Sequence, residues 1–406
     1  DPFEFAPSVS VTTYGSWDEF TSWWWNLIQK EMETSPAMRD KIASLTRDKK
    51  TEMEKIRAIY EFVVTDVRYN AWEFGVHGYQ PYNASTVFDR GHGDCKDKAL
   101  LMNTMLREIG VRAYPVLIHA DDERPIEDLS VPLIGLFNHC ISYLPATADR
   151  PAMFLDGTAR DHSTHVLPDM DRGASVVVVE DGKPRFENVG YPEPEDNLEA
   201  SDLTVDLKAD GSAKGSLVMK MRGRYDVLVR ELFGSEQGAQ KENLERILTP
   251  QLGRTRVVEL QTSDLHDLSA PVELRATLEI ERIARARGQD FALPVCLQPR
   301  KLLQSASEAQ RTYDLVLGVP ESDEFTTTYR LPEGMGAASV PGVDARETPF
   351  GAYEVRSEAN GRTVVVRSKS RVTMPRVTPA QYGEFRQFAR ELDEAQAREI
   401  VVRNEP

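Results

Sequence analysis

The amino-acid sequence predicts an α+β protein in two parts: a cysteine-bearing helix packed on an antiparallel sheet, then a β-sandwich-like domain with helical insertions. Apolar residues recur at helical spacing through residues 95–109, directly after a glycine-containing turn. Beyond residue 200, strand-like runs alternate with turn signals such as Asn360-Gly361. An acidic, proline-rich stretch at 192–196 separates these two sequence patterns, so we place one domain at residues 1–190 and the other at 196–406.

Three helices are predicted ahead of the cysteine. The stretch from Ser16 to Glu19 has a capping-box pattern, in which the first and last side chains satisfy backbone N–H groups where a helix begins. Ser35 followed by proline starts a second helix, and apolar spacing predicts a third over residues 51–67. The tryptophans at 23–25 share helical spacing with other apolar residues, which favours a core role over a ligand platform.

Residues 70–92 form a long segment rich in Gly, Tyr and Pro, which we predict to be a loop leading to the cysteine. Long ordered loops are usually functional, so we expect this one to help form the site. If the cysteine attacks a carbonyl group, the site needs hydrogen-bond donors aimed at the oxyanion that develops. The backbone N–H of Cys95 is the first candidate, and a side chain of the loop, Gln80 or Trp72, is the second.

Cys95 has the local setting of a thiol nucleophile. Gly91 and Gly93 allow a sharp turn and close approach of a substrate to the backbone. The unpaired N–H groups at the start of the following helix favour a thiolate over a thiol. The alternative is a buried structural thiol, because free cysteine is among the most buried residue types.

Two later stretches supply partners for this thiol. His139 begins an apolar strand-like run, and Asp156 ends a shorter one at a turn. Two neighbouring antiparallel strands would bring the imidazole and the carboxylate side by side, giving the arrangement of nucleophile, base and orienting group. His162 and His165 are alternative bases, but no apolar strand follows them.

Metal and cofactor chemistry is not expected. Zinc binds Cys and His, and His139-Cys140 supplies both. Adjacent residues of a strand point to opposite faces, however, so these two side chains cannot easily share one ion. With three cysteines there is no disulfide framework, and we expect Cys140 and Cys296 to be core thiols.

Composition limits the partners. The chain has 49 basic and 65 acidic residues, a net charge of −16, which is unfavourable for binding nucleic acid or an anionic membrane surface. No apolar run of about 18 residues is present, so no membrane span is predicted. The sequence starts at Asp1 rather than Met, which suggests a fragment or a processed form.

The second domain is predicted to open with a hairpin whose turn is Asp210-Gly211. Two helices should follow, near 223–234 and 238–252, and a helix over 378–400 should close the chain. Further strands are expected at 256–262, 272–282, 312–317, 325–331, 352–357 and 362–368. In the first domain, a strand of four valines at 176–179 should close the sheet.

The segment from about Tyr69 to Asp156 resembles the transglutaminase-like cysteine enzyme superfamily. Gly93-Asp94-Cys95-Lys96-Asp97 is similar to the nucleophile motif of a bacterial branch whose members carry flanking β-rich domains of unknown function. Asn138-His139-Cys140-Ile141 is similar to its base strand, although the family has Asp where Asn138 stands. Leu155-Asp156-Gly157-Thr158 is similar to its ending motif.

The resemblance implies a papain/transglutaminase-like core with Cys95, His139 and Asp156 as the catalytic triad. It implies acyl transfer through a thioester on a protein or peptide substrate, with hydrolysis favoured over crosslinking, and an extracytoplasmic or periplasmic location in bacteria. The alternative is a non-catalytic peptide-binding or envelope scaffold protein of the same fold.

Overall fold

The computed structural model describes residues 9–71, 74–234 and 239–404. The candidate Trp72 lies outside the described residues. The chain divides into two compact units, Asp1–Tyr191 and Pro192–Pro406.

Five helices are described in the first unit, and each of the three predicted ones forms. The Ser16 hydroxyl accepts from the backbone N–H of Glu19 (3.2 Å), but the Glu19 carboxylate bonds the backbone N–H of Gly15 (2.8 Å) instead of that of Ser16. The helices are α1 (Trp17–Ile28), α2 (Pro36–Thr46), α3 (Glu52–Asp66), α4 (Ala84–Arg90) and α5 (Cys95–Glu108).

The prediction of a continuous loop over residues 70–92 is wrong for its last third, where α4 forms. Asn83 caps this helix by accepting from the backbone N–H of Ser85 (3.0 Å). Gly91, with φ +66°, ends it in the left-handed conformation that glycine adopts without strain. The short α4 was missed because seven residues give too little periodicity to recognise. Helix α4 ends shortly before α5 begins, so it leads the chain to the cysteine.

A five-stranded antiparallel sheet lies beside α5, with strand order β5-β4-β3-β6-β7. Its strands are β3 (Tyr114–Ile118), β4 (His139–Leu144), β5 (Met153–Leu155), β6 (Ser175–Glu180) and β7 (Lys183–Asn188), and a separate short parallel pair joins β1 (Arg68–Tyr69) to β2 (His92–Gly93). The valine strand β6 does not close the sheet as predicted, because the polar strand β7 covers its edge. Buried side chains of α1, α5 and the sheet, among them Phe20, Leu100 and Leu117, form the core next to Cys95.

The second unit is β-rich. Its larger sheet has eight strands, in order β10 (Thr255–Thr262), β11 (Glu273–Ile280), β9 (Ala213–Met221), β8 (Leu198–Leu207), β15 (Glu321–Arg330), β19 (Thr363–Val372), β18 (Gly351–Asn360) and β17 (Asp344–Thr348). A four-stranded sheet contains β12 (Arg285–Arg287), β13 (Asp290–Pro294), β21 (Glu399–Asn404) and β16 (Met335–Ser339), and a short pair joins β14 (Leu315–Val316) to β20 (Arg376–Val377). The helical insertions are α6 (Arg224–Gly234) and α7 (Gln240–Leu252).

The closing helix is shorter than predicted. Helix α8 covers Tyr382–Gln396, and the chain then continues as strand β21. Ile400 and Val402 are fully buried in this strand, which pairs with β13 on one side and β16 on the other. Those partners lie far away in sequence, so the tertiary pairing, and not local propensity, decided the conformation.

The predicted α+β class is confirmed, with a helix-borne cysteine, an antiparallel sheet and a β-rich second half. Among the described residues, no helix combines the length and apolar character that crossing a bilayer requires.

Candidate active site

Cys95 is the first residue of α5 and is half-buried. Asp94 caps the helix by accepting from the backbone N–H of Asp97 (3.0 Å), and the Asp97 carboxylate returns a bond to the backbone N–H of Asp94 (3.3 Å). At the first helical position the Cys95 N–H has no carbonyl partner within the helix, so it points outward as a donor. The thiol therefore stands at the positive end of the helix dipole.

Buried ionic contacts fix the start of this helix. Asp97 accepts from the backbone N–H of Tyr82 (2.8 Å) and from Nη2 of Arg90 (2.6 Å), which ties the approaching loop and α4 to α5. Lys96 pairs with Asp94, and both side chains are over nine-tenths buried. The charged residues of this motif, Asp94, Lys96 and Asp97, therefore fix the start of the helix that carries Cys95.

A second buried lysine anchors α5 from its other side. Lys98 donates from Nζ to the carbonyl of Val67 at the end of α3 (2.5 Å). Burial lowers the pKa of Lys98 to about 8, although the Asp156 charge opposes that shift. The sequence analysis did not identify this lysine, whose effect is to hold the cysteine-bearing helix against α3.

His139 and Asp156 come together as predicted from their strands. Strands β4 and β5 are antiparallel neighbours, His139 begins the first and Asp156 directly follows the second. Nε2 of His139 lies 3.1 Å from Oδ2 of Asp156. The fully buried Asp156 also accepts from the backbone N–H (2.7 Å) and the hydroxyl (2.8 Å) of Thr158.

The electrostatics of this pair favour an imidazolium. Burial would lower the pKa of His139, but its interactions with Asp156 and then with Cys95 outweigh burial and raise that pKa to about 11. Burial would likewise raise the pKa of Asp156, yet the His139 hydrogen bond and the Thr158 hydrogen bonds hold it below its usual range. A protonated His139 beside Cys95 favours the thiolate form of the nucleophile.

Cys95 and His139 open into the same cavity, which has a volume of about 300 Å³. Most of its other lining side chains are apolar or aromatic. Trp24 belongs to the core as predicted, but it also lines this cavity, and its Nε1 donates to the Tyr79 carbonyl (2.9 Å). The described lining residues besides Cys95 and His139 are Trp24, Gly78, Tyr79, Lys96, Leu117, Ile134, Gly135, Phe137, Asn138 and Cys140.

The loop candidates for the second oxyanion donor do not gain support. Gln80 donates its side-chain amide to Oε1 of Glu31 (2.8 Å), and it is not among the described residues that line the cavity. Trp72 is outside the described residues. Asn138, the departure from the family motif, lines the cavity but exchanges hydrogen bonds with the backbone of Ala120 (2.8 and 3.0 Å).

Asp171 was missed by the sequence analysis. It is fully buried, and one ligand atom each of His139, Asp156 and Asp171 lie within 4.8 Å of one another. Such a donor set resembles a metal centre. Nε2 of His139 is already bonded to Asp156, so we interpret the group as a histidine with two carboxyls and assign no metal to it.

The alternative bases rank below His139 in this structure. Burial lowers the pKa of His162 to about 4, which keeps this imidazole neutral. His165 is exposed to solvent, and partial desolvation of its ring lowers its pKa as well. Neither is among the described residues that line the cavity of Cys95.

Comparison with known proteins identifies the class. Residues 39–145 match the family model of the transglutaminase-like superfamily, a span that includes Cys95 and His139 and stops short of Asp156. The first unit therefore carries a transglutaminase-like domain, which confirms the resemblance seen in the motifs. Residues 291–402 match a domain of unknown function with a solved structure, DUF3858. No curated protein matches the chain.

Among solved structures, the chain is similar to the crystal structure of a putative protease from Parabacteroides distasonis ATCC 8503. The TM-score is 0.58 at 15% sequence identity, and the match covers 96% of this chain and 59% of that one. The chain thus spans about three fifths of the length of that protein. At this identity the likeness shows the fold.

Proposed function

We propose that the protein is a cysteine-dependent acyl-transfer enzyme that acts on peptide or carboxamide bonds through a thioester, and that hydrolysis is its main reaction. The observation that supports this most directly is the 3.1 Å contact of His139 with Asp156 beside a cavity that also contains Cys95. Thiol catalysis requires a nucleophile, a base and a carboxylate that orients the base.

In the first half-reaction, the Cys95 thiolate attacks the substrate carbonyl carbon and the carbonyl electron pair moves to oxygen. The backbone N–H of Cys95 stabilises that oxyanion. When the intermediate collapses, the C–N bond breaks and the amine leaves with the proton of the His139 imidazolium. A thioester on Cys95 and a neutral imidazole remain.

In the second half-reaction, His139 takes a proton from water as the water oxygen attacks the thioester. The C–S bond then breaks, which releases a carboxylic acid product and restores the thiolate and imidazolium. A lysine amine in place of water would give a crosslink. The putative protease of similar fold supports hydrolysis as the main outcome. A protein or peptide substrate and an extracytoplasmic location are parts of this proposal.

The test is the pH dependence of iodoacetamide labelling, read by mass spectrometry of peptides. Labelling at pH 6 should fall on Cys95 and drop by about tenfold or more in His139→Ala, because the imidazolium no longer stabilises the thiolate. Cys140 and Cys296 are internal controls: burial raises the pKa of both thiols, that of Cys296 to about 11. Equal Cys95 labelling in the wild type and His139→Ala would contradict the proposal.

The rival function is a peptide-binding scaffold that keeps the fold without chemistry. The cavity next to Cys95, with its several apolar and aromatic side chains, is the observation that favours it. A scaffold predicts that Cys95→Ser binds peptides as the wild type does and that neither releases an amine product. Release of new amino termini from a denatured protein substrate by the wild type, absent in Cys95→Ser, would exclude it.

A further inference from the structure

Asp171 is a buried carboxyl that the mechanism above does not use. It ends a short 3-10 turn, Asp169–Asp171, and its exposure is 0%. Neither of its carboxyl oxygens has a hydrogen-bond partner among the described residues. Buried polar groups are nearly always paired, so an unpaired carboxyl in this place calls for an explanation.

The position of Asp171 is fixed by hydrogen bonds to the preceding residue, Met170, which we call the clamp. The backbone carbonyl of Met170 accepts from Nη2 of Arg124 (2.7 Å) and from the backbone N–H of Asp121 (2.8 Å). Arg124 is itself buried, and its Nη2 also reaches the carbonyl of His119 (2.7 Å). The turn is therefore held firmly, with the Asp171 carboxyl next to His139 and Asp156.

Charges surround Asp171 from several elements. Burial raises the pKa of Asp171 to about 7, and the neighbouring Asp156 charge acts in the same direction. Cationic side chains of the strand, the clamp and the turn itself oppose this rise in pKa, and Tyr60 of α3 interacts electrostatically with the carboxyl. The cations are His139, Arg124 and Arg172, and the other ionisable neighbours are Asp156 and Tyr60.

We propose that Asp171 is a positioning residue of the site, a second buried carboxyl whose ionisation tunes how firmly His139 holds its proton. It would act through His139 and Asp156 and would not touch substrate. The charge coupling can be measured without any turnover, whereas its consequence for catalysis rests on the proposed function.

The direction of the effect follows from reciprocity. The positive charge of His139 favours the ionised form of Asp171, so ionised Asp171 must favour the imidazolium to the same extent. When Asp171 releases its proton to solvent near neutral pH, a second negative charge appears within 4.8 Å of the ring. The imidazolium then becomes harder to deprotonate, which strengthens the thiolate pair and weakens proton delivery to the leaving amine.

The experiment is an NMR titration of the full chain labelled at histidine carbons. The seven histidines make the spectrum tractable, and His139→Gln assigns the signal of His139. In the wild type, the His139 signal should show a small inflection near pH 7 while the ring stays protonated. In Asp171→Asn, that inflection should vanish, and His139 should deprotonate about one pH unit or more below the wild type.

Asp169→Asn is the matched control, since it changes a carboxyl in the same turn and should leave the His139 titration as in the wild type. Absence of the inflection in the wild type would overturn the proposal, and this arm needs only the folded His139→Gln variant that assigns the signal. Identical His139 titrations in the wild type and in folded Asp171→Asn would also overturn it. If the inflection is present while Cys95 proves unreactive to iodoacetamide, the proposed function fails and the coupling stands.

Discussion

At the scale of single residues, Asp156 supplies the negative charge that stabilises the His139 imidazolium. It is fully buried, yet it accepts two hydrogen bonds from Thr158 and one from His139. These bonds keep it ionised, because each of them favours the charged form. A buried carboxylate that is fully bonded can hold an imidazole in one orientation, which a solvated carboxylate would do poorly.

Asp156→Asn should preserve the shape of the site while removing its negative charge. The imidazolium of His139 then loses its main stabilising partner, and labelling of Cys95 at pH 6 should fall about tenfold or more. The control is Thr158→Val, which removes a hydroxyl donor but leaves the charge, and should cost less than Asp156→Asn. Undiminished labelling in Asp156→Asn would show that the carboxylate does not act on the imidazole.

Asp171 makes a separate prediction about stability. Its pKa in the folded state is about 7, above the ordinary value of 3.8. The contribution of this carboxyl to the free energy of unfolding is therefore fully present below about pH 4. It is lost as pH rises through 7, and the loss amounts to as much as about 4 kcal/mol. Asp171→Asn has no such ionisation, so its free energy of unfolding should gain on that of the wild type between pH 4 and 8.

Urea unfolding at a series of pH values measures this difference. Comparing the two proteins cancels the ionisable groups that do not interact with Asp171. A difference in unfolding free energy that stays constant from pH 4 to 8 would mean that Asp171 ionises as an ordinary carboxyl.

At the scale of elements, the start of α5 depends on two aspartates that serve as cap, ion-pair partner and loop anchor. Asp94 caps the helix and pairs with the buried Lys96, whereas Asp97 holds Tyr82 and Arg90. Helix α3 offers a comparison, because Thr51 and Glu54 form an exposed capping box at its start.

Asp94→Ala should destabilise the protein by more than the ~1 kcal/mol that a lost cap costs, because it also removes the buried ion pair between Asp94 and Lys96. It should slow Cys95 labelling as the helix start frays. Thr51→Ala loses a cap only, and should cost about 1 kcal/mol with no change in labelling. Chemical denaturation and labelling rates measure both effects; equal losses in the two variants would show that the Lys96 pair adds nothing.

At the scale of the whole molecule, each unit has its own core. The core of the second unit contains Phe388 of α8, and the core beside Cys95 contains Phe20 of α1. Both side chains have an exposure of 0%. The two phenylalanines are therefore equivalent in chemistry and burial but differ in the unit that they stabilise.

Phe388→Ala should destabilise the second unit by about 3–5 kcal/mol and leave the rate of Cys95 labelling unchanged. Phe20→Ala should cost a similar amount in the first unit and change the labelling rate, since its core supports the cysteine. Calorimetry with labelling at the same temperature measures both. A change of Cys95 labelling in folded Phe388→Ala would show that the site depends on the second unit.

The sequence determined the parts whose signals are local. The cysteine at a helix start and the hairpin on Asp210-Gly211 follow from periodicity, capping and turn chemistry within a few residues. The pairing of His139 with Asp156 follows from two strands that are consecutive in the chain. The composition set the charge. These features persist because each is specified by neighbours in the chain.

Only the tertiary structure decided the rest. Strand β21 forms because β13 and β16 offer it hydrogen bonds, Gln80 turns to Glu31 instead of the cavity, and Asp171 lies beside the His139 pair. In each case the partner is distant in sequence and no local pattern marks it. No local sequence pattern predicts that a carboxyl such as that of Asp171 will be buried, because its ionisation depends on the charges that surround it after folding.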